Sequence, residues 1–135
     1  MSRGDAKDTP ARSDWAVISI NTPRRGTADL LPGWRAVLHQ EFHDLDTEHA
    51  DMPLFSHKIF SHDQAREIWT FVDSQAPHIN GILVHCHAGI HRSAAVAKAI
   101  AEEYSLPFPA DYDMHNVLVL RKLQETTLRL ANTVA

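Results

Sequence analysis

A single cysteine, Cys86, stands in the run His85-Cys86-His87-Ala88-Gly89-Ile90-His91-Arg92-Ser93. Five residues separate the thiol from the arginine. A loop of that length can curl so that its backbone N–H groups point inward, forming a nest of positive partial charge suited to anions. The sulfur then lies at the floor of a cup and the guanidinium at its wall, a fit for a tetrahedral oxyanion of phosphate size. A helix starting at Ser93 adds its unpaired N–H groups and the positive end of its dipole. Arg92 offers a planar fork that grips two oxygens at once, which lysine does not. The same donors favour a thiolate: a free cysteine titrates at about 8.5, and an electropositive helix N-terminus lowers that by several units. Cys86 is therefore expected to be a nucleophile aimed at a phosphorus held by residues 87–92.

The flanking segments have the character such a loop needs. Residues 81–85, Gly-Ile-Leu-Val-His, read as a short buried strand, and the alanine-rich residues 93–104 as a strong helix former. Upstream, the β-branched run at 15–20 predicts a first strand, closed by the turn formers Asn21, Thr22 and Pro23. Residues 36–42 predict a second strand. Ser61 followed three residues later by Gln64 is a capping-box pattern, opening a helix that should end before Pro77. A last helix is expected from about Asp113 to Ala131. Strands interleaved with helices imply an α/β fold: a small, mostly parallel central sheet flanked by helices. Ligands bind beyond the carboxyl ends of such strands. The segments after the first two strands should therefore border the cup.

Leaving-group departure from phosphorus is eased by an acid that protonates the departing oxygen. The segment Phe42-His43-Asp44-Leu45-Asp46 follows the second strand and could bring a carboxyl group to that edge. Two aspartates in a polar loop are also ordinary turn residues. Ser93 is suited equally to capping the helix, and His85 to a structural role at the strand end.

Residues 81–104 resemble the signature of the cysteine-dependent protein tyrosine phosphatases, and the Arg-Ser ending on a short chain is similar to their dual-specificity branch. A looser likeness in element order extends over about residues 15–125. The resemblance implies a phosphatase-type fold and phosphomonoester hydrolysis through a phosphocysteine intermediate, with no metal or organic cofactor. It implies Cys86 as nucleophile, Arg92 and the loop residues His87, Ala88, Gly89, Ile90 and His91 as the phosphate cradle, and His85 as its support. Ser93 matches the hydroxyl that stabilises the departing thiolate in the second step. Asp44 matches the general acid best, with Asp46 the alternative and Asp51 further off. His87 and His91 depart from the small, polar or basic residues familiar in such loops. Two other outcomes stay open: a catalytically silent phosphate-binding module, or a phosphatase of non-protein substrates such as phosphoinositides, which the absence of loop lysines disfavours.

Length and composition set the frame. A chain of 135 residues makes one domain, expected at 15–135 behind a flexible polar tail at 1–14. At 44% hydrophobic and 22% charged it reads as an ordinary globule. One cysteine excludes an internal disulfide framework, and a reactive thiol needs a reducing compartment. The first residues carry no apolar signal-peptide core, and no run approaches a membrane span. These features point to the cytoplasm. A net charge of −4 gives no support for nucleic acid or an anionic membrane as partner. The expected partner is a phosphorylated protein or small phosphomonoester, and oligomeric state is not legible. Nine of the ten histidines lie between His39 and His91, so protonation below about pH 6.5 could strengthen the field at the pocket mouth. Arg24 and Arg25 could border the pocket or form an exposed turn. His85, Cys86, His87 and His91 could ligate zinc. Against this, the strand-end geometry puts His85 and His87 on different sides, and Arg92 would repel a cation.

Overall fold

Six of the seven residues of β1 (Trp15–Asn21) are buried, which is the burial of a strand covered on both faces. It forms the middle of a parallel sheet in the computed structural model, which describes residues 1–45 and 59–134. Among these residues the sheet order is β2-β1-β3, with β2 at Ala36–Glu41 and β3 at Gly81–His85. The register sets Asn21 beside Glu41 and Ser19 beside His85, so the three strands end near one another at one edge. β2, an outer strand, alternates between partly or fully buried and exposed positions, with only Gln40 fully buried. The α/β class expected from the sequence is the observed one.

The helices owe their limits to local chemistry. A short α1 (Arg3–Asp8) is capped by the Ser2 hydroxyl, which accepts from the Asp5 N–H. α2 (His62–Gln75) opens on Ser61 with both halves of the capping box present. It gives way to a single 3-10 turn at Ala76–His78 that accommodates Pro77. α3 (Arg92–Tyr104) starts directly from the signature loop and ends on Ser105 in the left-handed conformation, φ 54°. α4 spans Val117–Val134. It starts later than the expected Asp113 because Asn116 caps it, its Oδ1 accepting the Val119 N–H at 3.0 Å.

Ile18 and Ile20 of β1 pack with Phe42, Phe60, Ile68, Trp69, Val96, Val119 and Leu123 in one core. The Trp69 indole N–H is satisfied by the Leu123 carbonyl at 3.0 Å, tying α2 to α4. Truncating Ile68 or Leu123, both 0% exposed, to alanine should cost about 2–5 kcal/mol. This core holds α3 behind β3 and so fixes where the signature loop begins and ends.

Residues 1–14, expected as a flexible tail, include a segment with a definite place. The Cys86 N–H donates to the Met1 carbonyl at 3.1 Å and the Arg3 N–H to the His87 carbonyl at 3.0 Å. Ser2 forms a parallel bridge with Cys86, and the Arg3 guanidinium donates to the Gly26 and Thr27 carbonyls. Polar composition concealed this because the contacts to Cys86 and His87 are made by backbone groups.

Candidate active site

The site is built where the three strands end. β3 delivers Cys86, 2% exposed, at the base of a loop whose outer residues His87, Ala88, Ile90 and His91 face solvent. Gly89 has a φ of +76°, and a Cβ there would approach the Met1 and Ser2 backbone to 2.5 Å. Only glycine meets both conditions. The turn it makes aims the Gly89 N–H at the Cys86 sulfur, 3.3 Å away. The Tyr112 hydroxyl donates to the Ile90 carbonyl at 2.6 Å and braces the loop from outside.

Ser93, in the first turn of α3, places Oγ 3.2 Å from Sγ. A thiol can donate to that oxygen, and a thiolate accepts from its O–H. Burial alone pushes the Cys86 thiol up. Hydrogen bonds from Ser93 and from the Gly89 N–H, with the charge of Arg92, outweigh it and hold the thiol below its ordinary value.

Arg92 is 5% exposed and anchored by the other two strand ends. It donates to the Phe42 carbonyl beyond β2 at 2.8 Å and to Thr22 Oγ1 beyond β1 at 3.1 Å. Its Nε is buried without a protein partner. Such a donor suits one more acceptor, and an oxyanion in the loop is the kind that would satisfy it.

His85 is 0% exposed at the end of β3. Its Nε2 lies 2.6 Å from Ser19 Oγ on β1, and its Nδ1 faces the Cys86 carbonyl at 3.4 Å. Because a carbonyl only accepts, Nδ1 carries the proton and Nε2 accepts from Ser19, whose oxygen in turn accepts from Asn21 Nδ2. Burial drives the His85 pKa down to about 4, against a smaller opposing influence of the Cys86 carbonyl. His85 is therefore neutral at pH 7.

Asp44, in the segment after β2, is brought to the signature loop. Its Oδ2 lies 2.7 Å from His91 Nδ1, and its Oδ1 accepts from Asn116 Nδ2 at 2.9 Å. Its side chain keeps 35% exposure, so the carboxyl remains open to a substrate. Asp46 and Asp51, the other acid candidates, lie outside the described residues. Arg24 and Arg25 are exposed in the turn after β1. Among the described residues no three His, Cys, Asp or Glu side chains gather at metal-binding range. His85 faces the interior while His87 is exposed.

Sequence reasoning missed Thr22, Asn116, Ser19 and Asn21. Only the segment holding Thr22 was indicated, by its place after β1. Asn116 carried an unread sign, an asparagine directly before an apolar helical run. An apolar hollow of about 360 Å³ lies beside β3, lined by Ile82, Val84, Ile100, Tyr104, Leu106 and Phe108 among others. No signature-loop residue lines it, and the reactive groups lie elsewhere.

No family model and no curated protein matches the chain. Among solved structures it is similar to a human tyrosine phosphatase-like serine/threonine/tyrosine-interacting protein, at 20% identity and a TM-score of 0.53. The likeness covers 91% of this chain and 80% of that one. It establishes a phosphatase-like fold.

Proposed function

We propose that this protein is a cysteine-dependent phosphomonoester hydrolase of dual-specificity-like type. The observation that carries it is one convergence: a buried thiol held toward its thiolate by Ser93 and Gly89, an arginine with a spare buried donor, and an aspartate from the segment after β2 paired with His91 of the same loop.

In this mechanism the loop N–H groups and Arg92 hold the phosphoryl oxygens. Cys86 Sγ attacks phosphorus, forming the S–P bond as the P–O bond breaks. Asp44 gives its proton to the leaving oxygen. Water then attacks the phosphocysteine and gives a proton to Asp44, the S–P bond breaks, and inorganic phosphate leaves. Ser93 donates to the sulfur as it departs as thiolate. Backbone dipoles and Arg92 supply the positive charge that magnesium supplies in other phosphoryl transfers, so no metal or organic cofactor is invoked. The loop residues His87 to His91 form the rim.

Substrates are phosphorylated proteins or small phosphomonoesters, with phosphoserine and phosphothreonine admitted beside phosphotyrosine. A cytoplasmic location follows from the thiol's need for reducing conditions. Among the described residues no helix is long and apolar enough to cross a membrane.

Hydrolysis of p-nitrophenyl phosphate with EDTA present, from pH 5 to 8, tests the assignment. Metal-independent turnover lost in Cys86→Ser is the expected result. A phosphatase-like interacting protein as structural neighbour favours a second reading, a phosphate-binding module without turnover. Freshly reduced protein that binds phosphate or a phosphopeptide yet hydrolyses nothing would establish that one instead.

A further inference from the structure

The residue that joins the acid to the nucleophile's loop belongs to neither. Asn116 is 3% exposed and sits immediately before α4. Its Nδ2 donates to Asp44 Oδ1 at 2.9 Å and to the Leu45 carbonyl at 3.0 Å. Its own N–H donates to the His91 carbonyl at 3.0 Å, while Oδ1 and the carbonyl accept from Val119 and Leu120. Every polar group it possesses is engaged. One buried side chain therefore fastens the segment after β2, the end of the signature loop and the start of α4 to one another.

A carboxyl group on a strand-end loop has no fixed position of its own. General acid catalysis needs it within hydrogen-bond reach of the leaving oxygen. A displacement of about 1 Å can cost about a hundredfold in rate. Asn116 restrains both the Asp44 side chain and the backbone that follows it. It does so from a helix start held in the core by Leu118 and Val119, 2% and 0% exposed. The His91 imidazole completes the restraint on the other carboxylate oxygen.

We propose that Asn116 is the positioning residue of the general acid. It acts through Asp44 and touches neither phosphorus nor thiol. The assignment rests on the phosphatase mechanism above and names a residue that mechanism does not contain.

If Asn116 serves the acid, its loss should matter in proportion to the leaving group's need for a proton. p-Nitrophenolate departs with little help, whereas phenolate, whose conjugate acid titrates near 10 as tyrosine does, needs it. Asn116→Ser keeps a good helix cap and is too short to reach Asp44. Asn116→Asp keeps cap and shape but replaces the donating amide with an acceptor. Each loses the two Nδ2 hydrogen bonds, so both should melt below the wild type, the aspartate variant lower still, and both are assayed well below their own melting temperatures. In both, the ratio of kcat/KM on p-nitrophenyl phosphate to kcat/KM on phenyl phosphate should rise about tenfold. A ratio within about twofold of wild type in a folded variant, whatever the change in absolute rate, would overturn the assignment and leave the phosphatase mechanism standing. A wild type that hydrolyses neither ester would overturn both.

Discussion

Lowering the pH should weaken the folded state through one buried imidazole. His85 is 0% exposed, fixed between Ser19 and the Cys86 carbonyl, and its pKa is held down to about 4 mainly by burial. In the unfolded chain the same group titrates at the ordinary imidazole value of about 6.5. Between those values the unfolded chain binds one proton that the folded chain refuses. Stability must therefore fall as pH falls, by about 1.4 kcal/mol per pH unit across that window. The loss starts near pH 6.5 and is complete near pH 4, where the folded protein also takes the proton. Its full size is up to about 3 kcal/mol, a large share of a typical domain's stability. His85→Gln removes the titration while keeping an amide that can reach toward Ser19. Urea unfolding, followed by tryptophan fluorescence, to which the buried Trp69, 3% exposed, contributes, would be recorded for both proteins from pH 7.5 to 4.5. The wild type should lose stability more steeply than the variant below pH 6.5, although the variant starts lower. Parallel pH dependences would refute the burial argument, because all other titrating groups are common to the two proteins.

Three further outcomes follow from the site geometry. Ser93→Ala removes a hydrogen bond to a charged sulfur, so thiolate stability should fall by about 1.5–3 kcal/mol. Iodoacetamide labelling at neutral pH should slow by at least about tenfold, and phosphocysteine should accumulate during turnover. Gly89→Ala combines a positive φ with a 2.5 Å collision against the Met1 and Ser2 backbone, so it should destabilise by more than about 1 kcal/mol in thermal melts and abolish turnover. Thr22→Val strips Arg92 Nη2 of its 3.1 Å partner and should lower kcat/KM about tenfold with little change in melting temperature. An unchanged kcat/KM would mean that the Phe42 carbonyl alone orients the guanidinium.

What could be read from the sequence was what neighbouring residues determine. Residues 81–104 carry a strand, a loop and a helix in consecutive order, so Cys86, Arg92 and Ser93 come together by local geometry. The Ser61–Gln64 capping box is equally local, and both of its hydrogen bonds are present. Asp44 was accessible because a segment following a parallel strand must emerge at the ligand-binding edge. Its partners were not, since Asn116 lies 72 residues away in sequence and makes no pattern with it. Thr22 meets Arg92 across 70 residues for the same reason. The Met1 to Arg3 contacts use backbone groups that every residue possesses, so composition pointed to a mobile tail instead. Each of these depends on the packed sheet, which brings three strand ends to one edge.

The central claim is a covalent one, that phosphorus passes through the sulfur of Cys86. Rapid acid quenching during p-nitrophenyl phosphate turnover, followed by mass spectrometry of the peptide containing residues 85–93, tests it directly. The account predicts one phosphoryl group on Cys86 in the wild type, more of it in Ser93→Ala, and none on sulfur in Cys86→Ser. Turnover that persists in Cys86→Ser, with no phosphoryl group on the wild-type peptide at any quench time, would contradict it.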